Sequence, residues 1–185
     1  MASYIKSIDP NHLLEIGLEG FYGPSTRNKM QFNPGDYQVG TDFIANNQNA
    51  DIDFATIHFY PDQWLPQSND TVQAQFVTQW LQQHIHDCKS FLRKPLLITE
   101  FGKSSESPNY NVRARDGYFS DIFNTVFSCA SSGGPCGGTL FWQLMSMGME
   151  NSWDGYHVVL QQDHSTAAVI ISQSWRISSL NAHHH

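Results

Sequence analysis

Leu96-Leu97-Ile98-Thr99-Glu100 is an apolar, partly β-branched run that stops on a carboxylate instead of fading into a turn. A short stretch of this kind reads as a parallel strand buried on both faces. The glutamate at its end then needs a partner or a cleft, because an unpaired charge is costly in apolar surroundings. The same pattern recurs outward in both directions, at residues 12–19 (HLLEIGLE), 54–60 (FATIHFY) and 139–144 (TLFWQL). Between these runs the apolar period becomes helical. Val72, Phe76, Val77, Trp80, Leu81 and Ile85 form one stripe behind an Asp70 cap, and Val112, Phe119, Ile122, Phe123, Val126 and Phe127 form another. A last helix begins at Ser165 and carries Ala168, Ile171 and Trp175, while residues 40–50 make a weaker, Asn-rich helix.

One residue near the end of each run sets the repeat: Tyr22, Tyr60, Glu100 and Trp142 stand 38, 40 and 42 positions apart. Alternating strand and helix at that interval matches a (β/α)8 barrel, but a closed barrel takes at least about 200 residues and typically about 250. With 185 residues the chain holds four units, so it reads as an α/β half of a (β/α)8 TIM barrel. The domain is expected over 1–182, with His183, His184 and His185 an expression-tag remnant. A complete doubly wound domain has the same length. However, Gly133-Gly134-Pro135-Cys136-Gly137-Gly138 precedes a strand where a dinucleotide loop follows one, and reads instead as a helix stop and turn.

Composition narrows the ligand. Lys+Arg 10 against Asp+Glu 17 leaves a net charge of −7, which repels phosphate backbones and anionic membranes and favours a neutral ligand. No run reaches the roughly 18 apolar residues of a membrane helix, and residues 1–9 lack the layout of a signal peptide. Aromatic residues at 13% exceed what core filling asks, so some are expected to line a binding surface. No metal and no cofactor are expected: Cys88, Cys129 and Cys136 fit no metal-ligand spacing, and His84 and His86 point to different faces of a helix. Cys129 and Cys136 flank a flexible turn and are either a small disulfide or two reduced thiols. Asn69-Asp70-Thr71 is a glycosylation sequon, in line with an oxidising compartment.

The candidate chemistry gathers at the strand ends. His58 and Tyr60 share one side of their strand, and Trp142 ends the run after that of Glu100. A tyrosine hydrogen-bonds a carboxylate, a histidine orients a tyrosine or a sugar hydroxyl, and an indole offers a flat face to a pyranose ring. Together they describe a carbohydrate subsite.

The segments 96–102 (LLITEFG), 57–62 (IHFYPD), 139–144 (TLFWQL) and 17–23 (GLEGFYG) resemble the second half of plant endo-β-1,4-mannanases of glycoside hydrolase family 5. The resemblance covers nearly the whole chain and implies the C-terminal half, about four βα units, of a (β/α)8 barrel. It implies hydrolysis of mannan, glucomannan or galactomannan with retention of configuration. Glu100 then matches the nucleophile, His58 and Tyr60 the conserved pair of the preceding strand, and Trp142 the substrate platform of the last one. The loop 145–157 (MSMGMENSWDGYH) resembles that family's last long loop, with Trp153, Asp154 and Tyr156 as sugar contacts. The family also implies a secreted, extracellular or cell-wall setting and a β-mannan polysaccharide as partner.

A retaining hydrolase needs two carboxyls about 5 to 5.5 Å apart. In the resembling family the acid/base sits in Asn-Glu-Pro, which is absent from this sequence, as is the family's early arginine. Residues 1–7 resemble the end of that family's fourth helix, which follows the fourth strand, the one that ends in Asn-Glu-Pro. Weak or absent turnover by this chain alone is therefore expected, with Glu19, Asp62, Glu106 and Glu150 the remaining carboxylates for structural or subsite roles. Four units also leave two open edges, and an inner face bearing residues such as Ile57 and Phe59 or Leu97 and Thr99 without a wall. Self-association through the open half follows as an expectation, and a noncatalytic mannan-binding or self-assembling half-barrel module is the alternative function.

Overall fold

The computed structural model describes residues 1–35, 39–108 and 110–181, so the tag residues and the boundary at 182 lie outside the described residues. In chain order they form α1 (Ala2–Ile8), a 3₁₀ stretch (Pro24–Phe32), α2 (Phe43–Asn47), β1 (Ala55–Phe59), α3 (Pro61–Trp64) and α4 (Asp70–Asp87). A π-turn (Cys88–Leu92) leads to β2 (Leu96–Phe101), α5 (Val112–Ser131), β3 (Cys136–Thr139), a 3₁₀ turn (Glu150–Ser152) and α6 (His164–Asn181). The three strands are parallel in the order β1-β2-β3, with α4 and α5 as the crossovers.

The sheet therefore has three strands among the described residues, one fewer than the four runs suggest. Residues 12–19 do run beside β1: Asp53 donates its amide to the Leu14 carbonyl at 2.8 Å, and His58 donates to the Glu19 carbonyl at 2.9 Å. Gly17 and Gly20 sit at φ of 65° and 107°, which turns their peptide groups out of a regular ladder. The last strand lies earlier than residues 139–144. Those residues extend it through single bonds, Leu140 amide to Ile98 carbonyl and Trp142 amide to Phe101 carbonyl, each 2.8 Å.

The helix side of the sheet is a closed aromatic core. Ala55, Ile57 and Phe59 from β1 and Leu96, Ile98 and Phe101 from β2 are fully buried there. Trp80 of α4 packs on Phe21, Trp64, Phe76 and His84, and Phe101 packs on Phe119 and Phe123 of α5. Ile57 and Phe59 thus face the helices, not the inner side expected of them, while Leu97 and Thr99 lie half-buried on the opposite face. The helix stripes are close to expectation with shifted ends. Asn69, not Asp70, caps α4 by accepting from the Val72 amide at 3.0 Å, and Val72 and Val112 are exposed. On α6, Ile171 and Trp175 point outward; Thr166 and Gln173 are buried instead, with Val169, Ile170 and Ile177 against the core.

Cys129 and Cys136 form a disulfide that ties the end of α5 to the start of β3, and Cys88 is a buried free thiol that burial pushes up to about 12. Beside β3 a groove of about 410 Å³ is lined by Leu140, Phe141, Leu144, Ile170 and Ile177. Among the described residues no helix is long and apolar enough to cross a membrane.

Candidate active site

The strand register decides which side chains meet. Pairing runs Ile57 with Ile98, then His58 with Glu100, so Thr99 is an extra residue in β2. Such a bulge shifts the alternation by one. Leu96, Ile98 and Phe101 therefore stay on the helix side, and Glu100 joins His58 on the open side.

On that side Tyr60 donates its hydroxyl to Glu100 Oε2 at 2.8 Å, and His58 Nδ1 stands 3.6 Å from the same oxygen. The Glu100 side chain is 33% exposed and that of His58 13%, so the carboxylate is reachable yet backed by two polar groups. Burial, then the neighbouring Glu100, raises Tyr60 well above the usual phenol range, which keeps it a donor. His58 is held by its own carbonyl, which accepts from the Trp80 indole at 3.1 Å. The core of the helix side thus reaches through β1 to the site.

Trp142 follows β3 with its backbone on the end of β2, and the residue is 41% exposed. Its peptide bond to Gln143 is cis. Trp142 Nε1 donates to Asp154 Oδ2 at 2.6 Å, and Gln143 Nε2 donates to the same oxygen at 2.8 Å. The other oxygen, Oδ1, accepts the Tyr156 amide at 2.9 Å. Desolvation alone would raise this carboxyl, but the bonds from Trp142, Tyr156 and Gln143 outweigh it and hold Asp154 below the usual carboxylate range.

Tyr156 is buried and stands edge-on to Tyr60 with ring centroids 5.2 Å apart, and its hydroxyl donates to Asp62 Oδ1 at 2.9 Å. Asp62 also accepts from the Ser104 amide at 2.8 Å and the Ser107 hydroxyl at 3.2 Å. The loops after β1, β2 and β3 are thereby joined around one carboxylate. Gly102 lies where they close: a Cβ there would fall 2.6 Å from the Tyr156 ring and 2.7 Å from the Trp142 carbonyl. Gly155, at φ 88°, would crowd Ser104 Oγ at 2.8 Å in the same way.

Of the seven site residues read from the sequence, His58 and Tyr60 both meet Glu100, and Trp142 follows the next strand. Asp154 and Tyr156 spend their polar groups on Trp142 and Asp62. Trp153 stacks on His157 with ring centroids 4.0 Å apart, its Nε1 buried without a partner among the described residues. The sequence reading gives Asp62 a structural or subsite role without showing it as the hub of the loops, and it misses Gln143, Ser104 and Gly102 around it. The only local signal was an acidic residue directly after Tyr60-Pro61 at a strand end. Glu19 is exposed, and Glu150 binds the Gly148 amide at 3.0 Å within its own loop. Among the described residues no group of three or more His, Cys, Asp or Glu side chains is arranged to hold a metal.

A family model described as GH family 5 beta-mannosidase-like matches residues 1–164. Mannan endo-1,4-beta-mannosidase 4 of Solanum lycopersicum is 58% identical over 98% of this chain and 44% of its own length. Mannan endo-1,4-beta-mannosidase 1 of Arabidopsis thaliana is 50% identical over 97% of this chain and 45% of its own. Among solved structures, the endo-beta-1,4-mannanase from Thermotoga petrophila superposes with a TM-score of 0.75 at 26% identity, over 97% of this chain and 39% of that one. The chain therefore spans somewhat under half the length of the relatives it matches.

Proposed function

The chain belongs to glycoside hydrolase family 5, in its β-mannosidase-like branch, and on that premise we propose that it carries the nucleophile half of a retaining endo-β-1,4-mannanase site. The observation that carries this is the 2.8 Å bond from Tyr60 to Glu100, with His58 beside it, on a face that leaves the carboxylate open. In the reaction a Glu100 oxygen attacks the anomeric carbon of a β-mannosyl unit and forms a glycosyl ester, while the leaving oxygen takes a proton from a second carboxyl. That carboxyl then deprotonates water, the water oxygen bonds the anomeric carbon, and Glu100 leaves as carboxylate. Tyr60 holds Glu100 in register, His58 borders the same subsite, and Trp142 supports the ring of the sugar. Trp153 is the further contact in the last loop.

These 185 residues contain no Asn-Glu-Pro. Asp62 has its oxygens engaged by backbone and hydroxyl donors, and the acid/base is assigned to a complementary half of the barrel. Hydrolysis of polymer by this chain alone is then weak or absent. Mannan, glucomannan and galactomannan are the substrates, and the Cys129–Cys136 disulfide fits an extracellular or cell-wall setting.

A leaving group that needs no protonation separates the two halves of the chemistry. A dinitrophenyl β-mannoside, combined with mass spectrometry of the protein, should give a mannosyl adduct on the peptide containing Glu100. Glu100→Ala should lower dinitrophenol release by about 10³-fold or more. Equal release from both proteins rejects the nucleophile. A second reading, a noncatalytic mannan-binding or self-assembling half-barrel, is favoured by the exposed Leu140 and Leu144 beside β3. It gains if light scattering finds a dimer, mannan is bound and no adduct forms.

A further inference from the structure

An exposed indole N–H has no need of a protein acceptor, because water serves it equally well. Trp142 nevertheless gives its N–H to Asp154 at 2.6 Å, a charge-assisted bond at the short end of its range. The carboxylate is itself immobilised. Gln143 occupies the same oxygen, and the Tyr156 amide occupies the other. The segment around it is laddered to its neighbours: Gln143 amide to Tyr156 carbonyl at 3.2 Å, Val158 amide to Gln143 carbonyl at 2.8 Å and Ser105 amide to Gly155 carbonyl at 2.7 Å. Every polar atom at the edge of the ring is thus spoken for, and only the face is left.

We propose that Asp154 is the positioning residue of the platform: it fixes the plane of Trp142 before sugar arrives and withdraws the indole N–H from recognition. The inference rests on the reading of Trp142 as the sugar platform. Two consequences follow. A ring already ordered loses less freedom when a pyranose settles on it, so affinity is gained without a new contact. A platform that offers a face and no donor reads the apolar side of a pyranose and is indifferent to the direction of its hydroxyls. Manno- and gluco-configured units are accepted alike at this position, and discrimination between them falls to other side chains.

The test uses the 185-residue chain with Asp154→Ala, Asp154→Asn and Trp142→Ala, titrated with mannohexaose and cellohexaose. The Nε1–H signal of Trp142 is followed in ¹⁵N-labelled protein, assigned by its loss in Trp142→Ala. In the wild type this proton should exchange slowly for so exposed a ring, and in Asp154→Ala it should take the shift and exchange rate of an indole in water. Mannohexaose affinity should fall about tenfold in Asp154→Ala and only about two- to threefold in Asp154→Asn, whose amide oxygen still accepts. The loss should be the same for cellohexaose.

Fast exchange of the Trp142 N–H in the wild type overturns the proposal whatever the variants do. So does an Asp154→Ala protein that binds within twofold of wild type while Trp142→Ala does not bind. If Trp142→Ala binds as the wild type does, the platform reading itself fails and this inference with it.

Discussion

The two faces of the β1-β2-β3 sheet are built on opposite rules. On the helix side Trp80, Phe101 and Phe119 are without exposure and pack ring against ring within a core completed by aliphatic side chains such as Ile57, Leu81, Ile98 and Ile122. On the open side the contacts are directed hydrogen bonds between polar groups, some on buried rings and some on exposed ones: Tyr60 to Glu100, Trp142 to Asp154, Tyr156 to Asp62. One face supplies stability by area, the other fixes a few atoms in direction. The bulge at Thr99 is the joint between them, because it moves one glutamate from the rule of the first face to that of the second. If this division is real, substitutions on the helix side should cost folding free energy and leave the chemistry of the surviving fold intact, and substitutions on the open side should do the reverse.

Trp80→Ala is the hardest test of the helix side. The indole is fully buried, touches five aromatic partners and donates to the His58 carbonyl at 3.1 Å. Its removal should cost about 3–5 kcal/mol, lowering the melting temperature by roughly 10 °C. Well below that temperature the rate of mannosyl adduct formation at Glu100 should change little. A protein that melts normally but no longer reacts at Glu100 would show that the indole serves the site and that the two faces are not separable.

A smaller effect is expected from His84, also on the helix side. It is fully buried, with Nδ1 2.7 Å from the Trp80 carbonyl and Nε2 2.8 Å from the Gly20 carbonyl. Two carbonyls invite two protons, and Asp87 favours the cation while Lys29 opposes it. Burial outweighs them and pushes the imidazole down to about 4, from the ordinary 6.5. The folded state then binds fewer protons than the unfolded chain between those values. Its contribution, about 3 kcal/mol, is complete above pH 6.5 and is lost as the pH falls towards 4. Melting temperatures from pH 7 to pH 4.5 should fall steeply in the wild type and less steeply in His84→Gln. Identical slopes would assign the acid lability to carboxyls held below their usual range by hydrogen bonds, such as Asp42 and Asp154.

The helix side was the legible one. Burial against a helix enforces a period, so the stripes of α4 and α5 and the strands at 54–60 and 96–100 could be read directly from apolar spacing. The strand ends were legible too, because Tyr60, Glu100 and Trp142 interrupt apolar runs, and the resemblance to a family gave them roles. What escaped was whatever depends on a departure from the period or on a partner far away in sequence. The extra residue at Thr99 leaves no mark in Leu96-Leu97-Ile98-Thr99-Glu100. Residues 12–19 look like a strand until Gly17 and Gly20 take positive φ. The outward turn of Ile171 and Trp175 on α6 follows from where α5 lies, which no local pattern records. In the sequence Asp62 reads only as a loop carboxylate for a structural or subsite role, and Asp154 only, by resemblance, as a sugar contact. They become struts only because three loops converge, with Tyr156 meeting Asp62 across 94 positions.

Tyr60 sits on the boundary and gives the finest test of the comparison. It is as buried as a core residue, yet its hydroxyl belongs to the site. Tyr60→Phe keeps the ring and its edge-on contact with Tyr156, so the packing argument expects a melting temperature within about 2 °C of wild type. The hydroxyl is held as a donor by burial and by Glu100, and losing it leaves the Glu100 carboxylate one charge-assisted bond short. Adduct formation at Glu100 with the dinitrophenyl mannoside should slow by about tenfold. A large drop in melting temperature with an unchanged rate would move Tyr60 to the packed face and leave His58, at 3.6 Å, as the neighbour that orients Glu100. A slower rate at constant stability would show that one residue is buried by the rules of one face and acts by those of the other, as its place directly after β1 implies.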